Sequence, residues 1–152
     1  MSKTTSTGAK FHAVSGKPAT FDKAGYEALS WVEVGEVIDI PEYGPDVTVV
    51  ESQPLATGIT EKYSGFINYG SLSLGLEFDD ADTGQTVLSD AIVAGSDFVP
   101  HSFRIDFPNG KSEYFHGGVF SYTRNIGTAN SMVGSTVNIE INSPILRETS
   151  PV

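Results

Sequence analysis

The clearest pattern in the chain is an alternation of apolar and polar residues within residues 101–126. Phe103, Ile105 and Phe107 are separated by polar residues, which predicts a strand with one buried face. The dipeptide Asn109-Gly110 follows, and it tolerates the positive φ angles that a type I′ turn needs at both central positions. A second strand then returns, so the stretch is predicted to form a β-hairpin.

The same kind of pattern predicts the remaining elements. The returning strand of the hairpin covers residues 112–124, and Gly117-Gly118 marks a bulge or a close backbone approach within it. A helix is predicted over residues 83–94, because an acidic or hydroxyl cap, Asp82 or Thr83, precedes an apolar stripe. The other predicted strands cover residues 11–14, 31–40, 63–78 and 132–141.

Two parts of the chain depart from regular alternation. Glu36 falls on the apolar side of the strand over residues 31–40, so either Gly35 marks a bulge or the strand end is exposed to water. Residues 41–62 carry three prolines and two glycines around a short apolar run at residues 47–50. So long a stretch without a core pattern is usually functional. We expect a long protruding loop or hairpin whose apolar side chains need a partner surface.

Together these elements predict a mainly β fold, a β-sandwich or partial barrel with one flanking α-helix, in a single domain over residues 1–152. Residues 1–10 and 142–152 are expected to be flexible, extended arms that remain unpaired within the domain. No apolar run approaches the roughly 20 residues that a spanning helix needs, so no membrane partner is expected. The N-terminal residues lack the apolar core of a secretory signal, and the absence of cysteine fits a reducing cytoplasm.

Charge and motifs narrow the possible functions. The formal net charge is −10, from 19 acidic and 9 basic residues, which argues against binding nucleic acid by neutralising phosphates. The three histidines are isolated in the sequence, and the acidic run at residues 79–82 lacks most ligands of a calcium loop. A helix cap explains that run better than a weak cation site does. No phosphate loop, nucleophile elbow or dinucleotide motif is present, so neither an enzyme nor a cofactor is expected.

Two stretches of the chain resemble a known family. WVEVGEVIDIPEYG, at residues 31–44, is similar to the N-terminal signature of the tail tube (major tail) proteins of long-tailed, lambda-like bacteriophages. RIDFPNG at residues 104–110, then Phe115-x-Gly117 and TVNI at residues 136–139, resembles the second half of that subunit. The likeness runs through about residues 26–145. It departs at one point, because the lambda relative carries an extra immunoglobulin-like C-terminal domain.

The resemblance implies a structural virion protein that self-assembles as stacked hexameric rings into the tail tube, a conduit for DNA ejection into the host. DNA and the tape-measure protein would occupy the lumen without specific binding, and other tail proteins would meet the tube ends. The implied location is the virion tail, after assembly in the bacterial host cytoplasm.

On this basis we assign expected roles to two sets of residues. The polar side chains expected to include the lumen lining are Glu33, Asp39, Ser71, Ser73, Glu77, Asn138 and Glu140. For any single one of them, the solvated face of a sandwich is an equally good explanation. The side chains expected at contacts between rings are Tyr43, Val47, Val49, Leu55, Ile145 and Leu146.

Two other functions remain open from the sequence. A ring-forming tail terminator or a type VI secretion-like tube protein would share the fold without making long tubes. A monomeric β-sandwich binding module, for sugars for example, would need exposed aromatic side chains on one concave face. The candidates for such a face are Tyr63, Tyr69, Tyr114 and Tyr122.

Overall fold

The computed structural model describes residues 3, 5–93 and 99–147, and within them the chain forms ten strands and two helices. In chain order these are β1 (Lys10–Ser15), α1 (Lys23–Glu27), β2 (Val32–Val34), β3 (Val37–Asp39), β4 (Asp46–Ser52), β5 (Glu61–Asn68), β6 (Ser71–Glu77), α2 (Thr83–Val93), β7 (His101–Asp106), β8 (Ser112–Asn125), β9 (Gly134–Ile141) and β10 (Leu146–Arg147). The predicted mainly β fold with a flanking helix is confirmed.

One antiparallel sheet contains most of the strands, in the order β2-β1-β7-β8-β9-β6-β3, with β10 added alongside β8. Its two outermost strands, β2 and β3, are joined only by Gly35 and Glu36, so the sheet must curl until its edges approach each other. The turn places Glu36 at φ 59°, a left-handed value that few residues other than glycine adopt. The prediction of one continuous strand over residues 31–40 is therefore wrong, because the chain crosses there from one sheet edge to the other.

Helix α2 closes the curl on its inner side, and its predicted cap is confirmed. Asp82 Oδ2 accepts hydrogen bonds from the backbone N–H groups of Gln85 at 2.9 Å and of Gly35 at 3.0 Å. A Cβ on Gly84 would lie 2.3 Å from the Glu33 carbonyl oxygen, so the first turn packs directly on the β2 backbone. Leu88 is fully buried in the core. The predicted helix end at residue 94 lies outside the described residues.

The hairpin of β7 and β8 is confirmed, with Phe103 paired to Phe115. Its turn differs from the prediction: Gly110 N–H donates to the Phe107 carbonyl at 3.0 Å, and only Gly110 has a positive φ, of 89°. The loop therefore has three residues, since Pro108 suits the first central position of a type I turn and Gly110 follows in the left-handed region.

A close backbone approach within β8, one of the two predicted alternatives, is also confirmed. A Cβ on Gly117 would lie 1.9 Å from the Glu140 carbonyl oxygen. A shift in register between Val119 and Ser121 lies further along the same strand.

The predicted strand over residues 63–78 is wrong as a single element. It divides into β5 and β6, which lie in different sheets. The chain turns at Gly70, which has φ 85° and sits so close to Gly44 that a Cβ would lie 2.7 Å from the Gly44 carbonyl oxygen. Phe66 lies on β5 and is 91% exposed, whereas Leu72 on β6 is fully buried.

The C-terminal segment is not unpaired within residues 142–147, contrary to the prediction. Leu146 pairs with Tyr114 and Arg147 with Glu113, so β10 extends the sheet beside β8. Ser143 is buried, and its Oγ accepts the His116 N–H at 2.9 Å. The apolar side chain of Ile145 packs against the core, which gives this segment a reason to fold back.

Candidate functional site: an acidic sheet face and an apolar ribbon

One face of the sheet carries polar side chains across several strands. Ser71 pairs with Glu140 and Ser73 with Asn138, and residues directly paired in antiparallel strands share a face. Asp39 joins this face because it pairs with Gly75, which lies between Ser73 and Glu77 on β6. We call this surface the polar face, and its members are Asp39, Ser71, Ser73, Glu77, Ser121, Thr123, Thr136, Asn138 and Glu140.

The polar face follows from period-2 alternation over a buried layer. Leu72, Leu74 and Val137 point to the opposite side and are fully buried in the core. The face carries three carboxylates, and within the described strands no lysine or arginine occupies its positions. Arg124 pairs with Ser135 on the opposite side and stacks over the Phe78 ring at 4.6 Å. The polar face is therefore negatively charged.

Six of the seven side chains predicted for the lumen lie on this face, and Glu33 does not. Glu33 is on β2, at the other end of the sheet order, with its Oε1 3.8 Å from Lys10 Nζ. Sequence reasoning missed Ser121 and Thr123 on β8, although the alternation of residues 121–125 was a usable signal. The shift in register beside Phe120 obscured this alternation, because residues beyond the shift point to the opposite side of the sheet from the one that regular alternation would give them.

The outer side of the other half of the sheet is covered by α1 and the residues that follow it. Tyr26 stacks on Tyr114 with ring centroids 5.4 Å apart, and Trp31 lies 6.1 Å from the same ring. The four candidate tyrosines of a binding module lie apart: Tyr114 is buried, Tyr69 and Tyr122 pack against the core, and Tyr63 lies on β5. These four side chains therefore do not form one concave aromatic face.

The second feature is a two-stranded ribbon, residues 46–68, formed by β4, β5 and their connection, with no strand partner elsewhere in the described chain. The ribbon overlaps the long protruding loop or hairpin that was predicted over residues 41–62, and it continues six residues further, to Asn68. Val47, Val49 and Ile67 share one of its faces, while Val50 and Tyr63 share the other. Its exposed large apolar side chains are Val47, Val49, Val50, Leu55, Ile59, Tyr63, Phe66 and Ile67. An isolated hairpin with apolar residues on both faces is only marginally stable in water, which indicates a partner.

The predicted ring contacts fall into two groups. Val47, Val49 and Leu55 are exposed on the ribbon. Tyr43, Ile145 and Leu146 are half-buried against the chain's own sheet. The structure therefore does not bring these six residues together, and it gives three of them intramolecular packing that the sequence had not indicated.

A groove opens at the base of the ribbon, where residues 43–45 meet the C-terminal segment. It has a volume of about 430 Å³ and is lined by Tyr43, Gly44, Pro45, Tyr69, Glu113, Pro144, Ile145 and Arg147. We call it the base groove. The Tyr43 hydroxyl donates to Glu113 Oε1, and burial together with this bond raises the pKa of Tyr43. The phenol therefore stays neutral in this wall.

A partly buried polar cluster on β1 and β7 was not anticipated from the sequence. Arg104 Nε lies 2.9 Å from Asp106 Oδ1, and its guanidinium stacks over Trp31 at 5.6 Å. His12 Nδ1 is 3.5 Å from Asp106 Oδ2. Burial first, and then the charge of Arg104, lowers the pKa of His12, so the imidazole is neutral at physiological pH. This arrangement anchors the strands and offers no exposed nucleophile.

Within the described residues, no group of three or more His, Cys, Asp or Glu side chains could hold a metal ion. None of the helices described is both long and apolar enough to cross a membrane.

Comparison with known proteins points to one kind of structure. The family described as lambda phage tail tube protein matches residues 23–144. A chain of the anti-feeding prophage baseplate, determined by cryo-EM with six-fold symmetry, superposes with a TM-score of 0.75 at 10% identity, covering 97% of both chains. A chain from the sheath/tube terminator structure of an extracellular contractile injection system superposes with a TM-score of 0.65 at 11% identity, covering 92% of this chain and 94% of that one. No match is found among curated proteins.

Proposed function

The chain belongs to the lambda phage tail tube protein family, and we propose that its copies assemble as hexameric rings that stack into a tail tube for DNA ejection. A structural role in a phage tail follows from the family. Our proposal is that the copies form rings, that the rings stack, and that the resulting tube conducts DNA. It rests on one observation, an acidic sheet face bounded by strand edges that lack a partner strand within the described chain.

The open edges lie on the strands that form the polar face. β8 pairs with β7 only as far as Gly117, and from Gly118 to Asn125 its strand pairing within the described chain is with β9 alone. On the far side, β6 pairs with β3 only at Gly75 and Leu76, so within the described chain the first residues of β6 have no strand partner on that edge. Exposed edges tend to pair with other strands. Pairing one copy's β8 edge with another's β6 edge would continue the polar face around a closed ring.

The charge of the polar face suits the wall of a DNA channel. Glu77, Asp39 and Glu140 would repel phosphates, and the hydroxyl side chains between them offer no cation to hold DNA. The lumen would therefore let DNA and a tape-measure protein pass without binding them. In this arrangement the protein resides in the virion tail, is assembled in the host cytoplasm, and has no catalytic role.

A ring-forming terminator is the second candidate, because one structural neighbour comes from a sheath/tube terminator structure. The six-fold symmetry of the baseplate structure that contains the other neighbour supports a hexameric ring for either candidate. The exposed ribbon favours the tube, since a subunit that stacks repeatedly needs an apolar surface outside its own ring plane.

Electron microscopy of the concentrated, purified protein tests the proposal. We expect long hollow tubes with six-fold symmetry in cross-section. Isolated rings that never stack would support the terminator. Protein that remains monomeric at millimolar concentration, even when offered the initiating tail complex, would refute the assembly proposed here.

Charge reversal on the polar face tests the lumen assignment. We expect Glu77→Lys together with Glu140→Lys to preserve tube length but to slow DNA release from assembled particles at least about tenfold, because lysines in the channel would bind the phosphate backbone. The measurement is the release of DNA from particles triggered in vitro. Glu27→Lys with Asp80→Lys is the matched control, since it makes the same charge change at exposed positions off this face. Normal DNA release from the polar-face variant would contradict the assignment.

A further inference from the structure

We propose that His12 is an acid-sensing residue: its neutral imidazole holds Arg104 in place, and its protonation displaces Arg104 and loosens the segment that Arg104 supports. That segment, residues 20–31, contains α1 and ends at Trp31, and we call it the α1 cover. The inference concerns the single chain, so it does not depend on the proposed tube assembly.

Strand register places His12 and Arg104 in one row across the outer side of the sheet. His12 pairs with Glu33 on β2 and with Arg104 on β7. Arg104 pairs in turn with Tyr114 on β8. Residues that are directly paired in antiparallel strands share a face of the sheet. The row therefore ends at the uncharged ring of Tyr114, on which the α1 cover lies.

Aromatic rings attach the α1 cover to this row. Trp31 lies over the Arg104 guanidinium, with 5.6 Å between the ring centroid and Cζ. Tyr26 stacks on Tyr114, and the Tyr26 carbonyl oxygen accepts a hydrogen bond from Trp31 Nε1 at 2.8 Å. Arg104 is therefore part of the surface on which the α1 cover rests. Moving its guanidinium away removes the cation–π contact that it makes with Trp31.

The contact between His12 and Arg104 requires a neutral imidazole. Arg104 Nη2 lies 3.2 Å from His12 Nε2, and a guanidinium carries hydrogen-bond donors and no acceptor. His12 Nε2 must therefore accept, which assigns the proton of the neutral ring to Nδ1, 3.5 Å from Asp106 Oδ2. A second proton, on Nε2, would point at the N–H of Arg104. The hydrogen bond would then become a repulsion between two cations.

The carboxylates that face the imidazole already have other partners. Asp106 Oδ2 accepts a hydrogen bond from Arg104 Nη2 at 3.0 Å, and Asp106 Oδ1 accepts one from Ser112 Oγ at 2.6 Å. At the other end of the row, Glu33 on β2 is paired with Lys10 on β1, with 3.8 Å between Oε1 and Nζ. These two carboxylates therefore cannot fully compensate a positive charge on the imidazole.

The direction of the pKa shift agrees with this geometry. Burial lowers the pKa of His12 most, and the charge of Arg104 lowers it further. Asp106 and Glu33 act in the opposite direction, and Lys10 adds to the lowering. Because the pKa is below the ordinary histidine value of about 6.5, the chain with a displaced cover binds the proton more readily than the closed chain. The stability of the closed cover is therefore complete above this pH and is lost as the pH falls below it.

Tryptophan fluorescence tests the proposal directly, because Trp31 is the only tryptophan in the chain. We expect its emission maximum to move to longer wavelength as the pH is lowered from about 8 to about 5, with a midpoint below about 6.5. Quenching by acrylamide should increase over the same range, which ends above the usual pKa of carboxylates, about 4. The circular dichroism of the strands should not change. Its loss in the same step would show global unfolding and would overturn the proposal.

His12→Gln should keep the α1 cover closed and abolish the transition, because the glutamine oxygen can accept from Arg104 and takes up no proton in this range. His116→Gln is the matched control. It removes another histidine of the same side of the sheet, whose ring lies 5.1 Å from that of Phe21 in the α1 cover. This control should keep the transition of the natural chain. A transition that persists in His12→Gln, or one that disappears in His116→Gln, would contradict the assignment to His12.

NMR titration of the natural protein gives a second measurement that does not require a variant to fold. The ring signals of His12 and the indole signals of Trp31 should change with the same midpoint. Arg104→Gln should raise the midpoint of His12, because the neighbouring cation is gone, and should leave Trp31 exposed at every pH in the range. Separate midpoints for His12 and Trp31 in the natural chain, or no response of Trp31, would refute the coupling. Either result is obtained whether or not the protein forms tubes.

Discussion

Replacing residues 46–68 by a short glycine-serine turn is expected to give a folded monomer that forms no tubes. The ribbon is a separate two-stranded sheet, and the buried core cluster contains none of its residues. The flanking segments already meet, because a Cβ on Gly70 would lie 2.7 Å from the Gly44 carbonyl oxygen. A short turn can therefore close the gap without disturbing the main sheet.

Thermal unfolding and electron microscopy together check this expectation. The midpoint of unfolding should fall by no more than a few degrees, since exposed segments contribute little to stability. Tubes should be absent at concentrations at least about a hundredfold above the threshold of the complete chain. Thr60→Ala, a change of one exposed polar ribbon residue, is the control and should assemble normally. Tubes of normal length from the chain without the ribbon would contradict the stacking role of the ribbon.

The elements that sequence predicted well are those specified by neighbouring residues. The hairpin of β7 and β8, strand β9 and helix α2 with its Asp82 cap all follow from local alternation, turn residues or capping chemistry. These signals depend on residues close together in the sequence, so they do not depend on how distant strands pair. Even the turn that differed, at Gly110, was wrong in type and right in place.

The elements that sequence predicted wrongly depend on where distant strands pair. Alternation of apolar and polar residues resumes on the far side of Gly35 and of Gly70, so each break looked like an irregularity within one strand. Only the sheet order shows that the segments on either side of Gly35 join opposite edges. The C-terminal segment failed for the same reason, since the pairing of Leu146 with Tyr114 joins residues far apart in the chain.

The same distinction between local pattern and distant strand pairing applies to the residues predicted for the candidate surfaces. Alternation alone placed Ser71, Ser73 and Glu77 on one face of β6 and Asn138 and Glu140 on one face of β9, and register then brought the two sets together. Glu33 alternates just as regularly, yet its strand lies at the other end of the sheet. A period-2 pattern identifies the side of a strand, and it carries no information on which strand lies next to it.

Gln85→Leu is expected to destabilise the fold strongly, because one side chain satisfies three backbone groups where the sheet edges meet. Gln85 is 2% exposed, and its Nε2 donates to the carbonyls of Gly35 at 3.1 Å and of Glu77 at 2.9 Å. Its Oε1 accepts the Asp79 N–H at 3.0 Å. Leucine is similar in size and makes none of these bonds. Leaving the three groups unsatisfied costs on the order of 3 kcal/mol or more of unfolding free energy.

Chemical denaturation checks this value, and the chain offers a matched control in Gln53→Leu, the same change at an exposed ribbon position. The control should alter the free energy of unfolding by less than about 0.5 kcal/mol. Equal stability of the two variants would show that the link between β2, β3 and the start of α2 does not depend on this side chain. If Gln85 does hold that link, its loss should also impair tube formation under conditions in which the variant monomer is still folded. Gly35 directly follows β2, and Glu77 is the last residue of β6, so this side chain connects β2 to a strand of the polar face that the proposed ring uses.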